Sequence, residues 1–215
     1  MSILTYYNSK INNLGRLLGK KCASFDLPVG KTCPYARLCK CEVMEDAVTH
    51  ERWLSKATDI RCFAATAELI YPNVYMKRQI NYHLSRLHDF IDLVLKEINF
   101  NNVEVVRPMA AGDYYSMDVY YKWRQIAERR PRIIFFGYTK NPYVALDLIV
   151  HHPLDNFKII YSHGGTYDEK LVGSNIPTCY IQMRGQDWNV PSIDLNSGDD
   201  YKYIMAGQSF QIPYH

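Results

Sequence analysis

Apolar positions divide the chain into segments of two different periods. From Ala64 to about Ile98 they recur at threes and fours (Ile80, Leu84, Leu87, Ile91, Val94, Leu95, Ile98), which predicts helix, broken near Pro72 and stopped by Asn101 and Asn102. Strands and helices then alternate. Val103–Met109 reads as a strand, and Ser116 caps a helix over Met117–Arg130 with Val119, Trp123, Ile126 and Ala127 on one face; Pro131 closes it. Ile133–Tyr138 is almost wholly apolar, as expected of a strand buried on both faces of a parallel sheet. Asn141 and Pro142 open a short helix over Tyr143–Val150. Phe157–Ser162 is the next strand, and Pro177–Gln182 reads as a further one. Before the long helical stretch, Lys21–Leu27 reads as a short strand broken by Pro28 and Gly30. Thr32–Glu42 is compact and rich in cysteine, and Val43–Ile60 reads as a short helix or an excursion. Met1–Gly19 looks like a polar lead-in. The tail from Asp187 to the C-terminus reads as loops with an edge strand.

Strands separated by helices of one to four turns define β-α-β units. The expectation is a single α/β domain over residues 1–215, built as a partial or irregular (β/α) barrel of parallel strands. In such folds the chemistry collects at the C-terminal strand ends. Those ends read Pro28–Cys33, Gly112–Asp113, Thr139–Lys140 and His163–Gly165, so Asp113 and Lys140 become candidates for facing a bound group. Each also has a plainer role, Asp113 as a cap for the next helix and Lys140 as a solvated loop charge.

The chain has 215 residues, 47% hydrophobic and 22% charged, which excludes a disordered chain. It lacks a run of about 18 apolar residues, so no membrane partner is expected, and Met1–Lys21 lacks the apolar stretch of a secretory signal. A net charge of +3 is too mild to argue for nucleic acid, and the basic helix end of Lys122, Arg124, Arg129, Arg130 and Arg132 suits the helix dipole.

The cysteines change the picture. There are six, and Cys22, Cys33, Cys39, Cys41 and Cys62 fall in the first third. With no secretory signal a reducing, cytoplasmic setting is expected, and disulfides are not. Cys33 and Cys39, separated by five residues, sit on a loop just past a strand, and Cys62 opens a helix. Thiolates so placed can meet at one metal centre, where loop and helix-start N–H groups lower thiol pKa values and donate to sulfur. An iron–sulfur cluster tolerates irregular spacing because its irons are separate. Structural zinc ordinarily takes two short ligand pairs, and a second short cysteine pair is missing. Packing thiols with no metal remain a third alternative. Cys22 and Cys179 fit that packing role.

Three segments together resemble a known family: FDLPVGKTCPYARLC, RCFAATAELIYPNVYMKRQINYHL and VRPMAAGDYYSMDVYYKWRQIAERRPRIIFFGYTKN. They are similar to phage-encoded proteins of the gene-product-88 kind, themselves similar to truncated radical-SAM proteins. The resemblance runs from about Ala23 to Asn141. It implies a radical-SAM-like partial barrel and a phage protein acting in the host cytoplasm on an unidentified host or phage protein or small molecule. It implies a 4Fe-4S cluster held by Cys33, Cys39 and Cys62. With three thiolates one iron lacks a cysteine; its loss would give a 3Fe-4S form. Cys41, Cys22 and His163 are the candidates for a fourth ligand. Radical-SAM enzymes bind S-adenosylmethionine at such an open iron, which makes an enzyme of that type one alternative and a zinc-stabilised interaction module another. The compact Cys-x3-Cys-x2-Cys loop of those enzymes is absent, although Gly112–Asp113 stands where their glycine-rich strand end would be.

Overall fold

The computed structural model describes residues 2–55, 60, 62–195 and 197–213. Part of the Val43–Ile60 excursion, residues 56–59, lies outside them. Strand β1 (Cys22–Asp26) is followed by a small antiparallel hairpin, β2 (Val43–Glu45) with β3 (Arg52–Leu54), where a short helix or excursion was expected. The long helical stretch is three helices, α2 (Phe63–Ile70), α3 (Pro72–Ser85) and α4 (Phe90–Phe100). Pro72 starts α3 at its first position, where its missing N–H costs nothing. Then follow β4 (Val105–Ala111), α5 (Met117–Glu128), β5 (Ile134–Thr139), α6 (Pro142–Leu146) running into one π-helical turn (Asp147–His151), and β6 (Phe157–Ser162). The chain continues with α7 (Asp168–Leu171), β7 (Thr178–Gln182), α8 (Asp200–Met205) and β8 (Phe210–Pro213).

Six strands form one sheet in the order β1-β4-β5-β6-β7-β8, and every pairing is parallel. The sheet is open, with β1 and β8 at its edges. The parallel α/β sheet expected is therefore present, and among the described residues it does not close, since closure of such barrels takes about eight strands. Each edge is covered locally instead. Thr5 and Ser24 exchange backbone hydrogen bonds of 2.7 and 2.8 Å across the β1 edge, and Gln211 on β8 donates to Pro191 and accepts from Ile193. An uncovered edge would invite pairing with another chain.

Both faces are buried, which is why the strands read as continuous apolar runs. Phe25, Val106, Phe135 and Phe157 face one way, onto Phe90 and Val94 of α4 and Trp123 and Ile126 of α5. Trp123 is fully buried, its ring 5.2 Å from Phe25 and 5.8 Å from Phe90. Cys22, Val105, Phe136, Ile160, Cys179 and Phe210 face the other way. That face is covered by Ile11 and Leu14 of helix α1 (Ser9–Leu18) and by Ile204 of α8. The polar lead-in over 1–19 therefore holds a helix, and the tail from Asp187, read as loops with an edge strand, holds α8 as well as the edge strand β8. Leucine and isoleucine at helical spacing, an Asn8 cap and a left-handed Gly19 make α1 despite its polar composition.

Ser116 adopts extended backbone and its hydroxyl accepts from the Val119 N–H at 3.3 Å. Ser116→Ala is expected to lower stability by about 1 kcal/mol, read as a lower urea midpoint with an unchanged slope. The basic residues around α5 are largely occupied within the molecule: Lys122 pairs with Asp118, Arg124 with Glu128 and Asp147, and Arg129 with Asp92. Among the described residues no helix is long and apolar enough to cross a membrane.

Candidate functional site

The C-terminal strand ends meet at one cavity of about 150 Å³. The loop after β1 supplies Cys33 and Cys39 to its wall, and the start of α2 supplies Cys62; Asp113 follows β4 and Lys140 follows β5. All five candidates read from the sequence thus line one space. Cys179, on β7, lines it as well, a position the packing reading did not anticipate. The sequence signal for it was its place in a strand two residues past Pro177, on the same sheet.

The cysteine loop is held in place from two sides. Gly30 has φ +72°, and a Cβ there would lie 2.0 Å from the Cys41 carbonyl oxygen. Only glycine fits both the left-handed backbone and that approach. Gly30→Ala is expected to destabilise the fold by more than 1 kcal/mol, since φ strain and a backbone clash add, and to lower the thermal midpoint measurably. On the far side, the Gly164 carbonyl accepts from Arg37 at 2.9 Å and from Leu38 at 3.1 Å, and Thr166 N–H donates to Tyr35 at 2.9 Å. Gly164 has φ +96° and packs against Leu38. The two glycines after β6 are therefore the dock for residues 35–38.

Asp113 ties two strand ends together. Its carboxylate accepts from the Tyr114 N–H at 2.7 Å, the Thr139 hydroxyl at 2.7 Å and the Lys140 N–H at 2.8 Å. Burial pushes its pKa up, and these three donors oppose the shift. The Lys140 ammonium donates to the Ser162 hydroxyl at 2.9 Å and carbonyl at 3.1 Å, and to the His163 carbonyl. It closes the end of β6 and also places a positive charge beside Cys39.

The thiols are free and partly accessible. Burial pushes Cys33 well above the ordinary thiol value, with Asp113 and Cys62 adding to it. Burial also raises Cys39, opposed by Lys140. The Cys41 thiol, together with burial, raises Cys62, while the Ala64 and Ala65 N–H groups at the start of α2 act the other way. The low-dielectric surroundings favour the neutral, protonated thiols. Among the described residues, no three His, Cys, Asp or Glu side chains converge tightly enough to hold a single metal ion.

The three candidates for a fourth ligand fall elsewhere. Cys41 is buried with Val29, Val43, Ala64 and Ala65, outside the cavity lining, and a hydrogen bond with the Cys62 thiol lowers its pKa. Cys22 is at the N-terminal end of β1, away from the strand ends that form the cavity; burial pushes its pKa up to about 11. The His163 ring lies 5.0 Å from Trp188 and its Nε2 is 3.5 Å from Asp168. None of the three is in the cavity lining.

A parallel α/β sheet carrying a thiol-lined cavity at its C-terminal rim is the class of protein these features define. The chain belongs to the gene product 88 family, whose family model matches residues 2–205. No curated protein and no solved structure matches it.

Proposed function

We propose that this chain is a phage protein that binds an iron–sulfur cluster of the 4Fe-4S type through Cys33, Cys39 and Cys62 in the host cytoplasm. The observation that carries the reading is the arrival of three thiols, from two separate segments, on the wall of one cavity. The donor set suits the group: soft thiolates select iron–sulfur and related centres over hard cations. The N–H groups at the start of α2 and the Lys140 ammonium supply the polar and positive surroundings that sulfur ligands need. Thiols spread around a cavity fit separate irons better than one tetrahedral ion with bonds of about 2.3 Å. The same reading takes the open sequential sheet as an arc of a (β/α) barrel. A cluster here would supply electron transfer, or an open iron for a small molecule; Cys33, Cys39 and Cys62 would hold it, and Lys140 would set the charge beside it.

The test is anaerobic reconstitution with ferrous iron and sulfide, followed by iron, acid-labile sulfide and zinc analysis and an electron paramagnetic resonance spectrum. About four irons per chain, or three if the iron without a cysteine is lost, is the expected result. A colourless protein holding stoichiometric zinc and no sulfide would overturn it. Adding S-adenosylmethionine and a reductant to the same sample, and assaying 5′-deoxyadenosine, separates a radical-SAM-type enzyme from a binding or redox protein.

A further inference from the structure

A second, larger groove of about 500 Å³ lies beside the thiol cavity, and Phe63, Arg107 and Ala110 belong to the walls of both. We infer that this shared wall is a binding site for the oxyanion of a small organic molecule with a flat apolar body, a carboxylate or a phosphate ester. The inference goes beyond the cluster reading and does not depend on it.

Arg107 is the centre of the argument. It projects from β4 on the sheet face that otherwise carries Val105, Phe136, Ile160 and Phe210, and it is only 8% exposed. Its guanidinium carbon lies 4.9 Å from the Tyr138 ring centre and 5.6 Å from that of Phe136. One amino group donates to Asp200 Oδ2 at 3.1 Å. That same oxygen takes the Tyr138 hydroxyl at 2.6 Å, so the one carboxylate serves two donors. The Nε–H is buried and has no acceptor among the described residues. Buried polar groups almost always find a partner, and a guanidinium edge suits a carboxylate or phosphate. Arg107 belongs to the walls of both cavities, and its bond to Asp200 leaves part of its hydrogen-bonding capacity unused.

The neighbouring charges agree with an anion. Lys10, Lys77, Arg78 and Arg107 line the groove against the single carboxylate of Asp26. Arg78 donates through one amino group to Glu68 and the Ala64 carbonyl, with its own Nε–H unpaired, and Lys77 donates to the Ser2 and Leu4 carbonyls. Lys10 stands over the Phe63 ring, 4.6 Å from its centre. Burial and then the charge of Arg107 depress its basicity, with Asp200 and Asp194 opposing. An anion between Lys10 and Arg107 would relieve that repulsion. Phe63 is 62% exposed and follows Cys62 directly, so a flat body resting on it reaches toward the thiols.

Titration calorimetry on the full chain, as purified and after reconstitution, with phenyl phosphate, benzoate and benzyl alcohol tests this. Saturable binding of at least one anion is expected, with benzyl alcohol tenfold weaker or more; the two anions separate phosphate from carboxylate preference. Arg107→Gln should weaken the anion at least tenfold and Lys10→Gln several-fold. Because Arg107→Gln also breaks a buried pair, circular dichroism checks its fold; if it fails to fold, Lys10→Gln on the outer helix decides. Absence of anion binding to the folded protein, equal binding of benzyl alcohol, or unchanged affinity in the folded variants would overturn the inference. Iron content, measured on the same samples, reports on the cluster reading separately.

Discussion

Cys33→Ala, Cys39→Ala and Cys62→Ala should each lose the iron and sulfide that the unaltered chain takes up on reconstitution. The three thiols line one cavity, and each would serve a different iron, so none substitutes for another. Cys41 is buried in contact with the Cys62 thiol and lies outside the wall, so for it to take over from Cys62 the loop would have to move. Metal affinity in such sites is coupled to folding, so the variants should also show lower solubility after anaerobic purification. Cys22→Ala is the control: its thiol is at the opposite end of β1 from the cavity and should cost only a small cavity in the core. Cys179→Ala is the sharper comparison, because Cys179 shares the cavity. Its electrostatic partners are Lys140, Asp200 and Arg107 rather than the other thiols, and burial pushes it up to about 12. Iron should therefore survive its replacement. Full iron in Cys62→Ala, or its loss in Cys179→Ala, would refute the assignment of ligands.

Much of this arrangement can be read from residue order, because buried parallel strands carry long apolar runs. Phe157–Ser162 is found with the boundaries expected, and the strands over Val105–Ala111 and Ile134–Thr139 shift by one or two residues. The rim follows from the strands: once their ends are known, Cys33, Asp113 and Lys140 must be near one another. What sequence does not display is what covers the inner face. Helix α1 has only Ile11, Leu14 and Leu18 facing inward amid polar residues, and α8 is six residues long in a stretch dense in Asp, Gly and Tyr. Their burial comes from tertiary contact with strands far away in the chain, which no local period records. The role of Asp113 is similarly non-local: it fixes Thr139 and Lys140 on the next strand. The plainer reading of it as a cap for its own helix misses that contact, and Ser116 caps α5 instead. Arg107 escapes notice for another reason. An arginine within an apolar strand looks like an edge or solvent position until its partner, Asp200 near the other end of the chain, is known.

Arg78→Met is expected to be the most damaging single change outside the cavity, by about 3–5 kcal/mol, the usual result of removing one partner from a buried pair. Glu68 on α2 is 1% exposed and Arg78 on α3 is 7% exposed. Glu68 Oε1 accepts from the Arg78 guanidinium at 2.8 Å and from the Val29 N–H at 3.0 Å, and the guanidinium also donates to the Ala64 carbonyl at 2.8 Å. The pair thus joins α2, α3 and the residue that leads into the Gly30–Cys33 turn. Burial already raises the Glu68 pKa, and Arg78 is the main force opposing that rise. Without Arg78 the carboxylate would favour its protonated form in the folded chain and not in the unfolded one. The folded state then binds the extra proton, so the variant should regain stability as pH falls from neutral toward the ordinary glutamate value of about 4.3. Replacing both partners, Glu68→Leu with Arg78→Met, removes the stranded charge and should recover most of the loss. The Val29 N–H would remain unpaired in that double variant, so the turn should loosen and iron uptake should fall even where urea unfolding shows stability restored. Equal stability of Arg78→Met and the unaltered chain, or a double variant no more stable than Arg78→Met, would show that the pair does not hold these elements together.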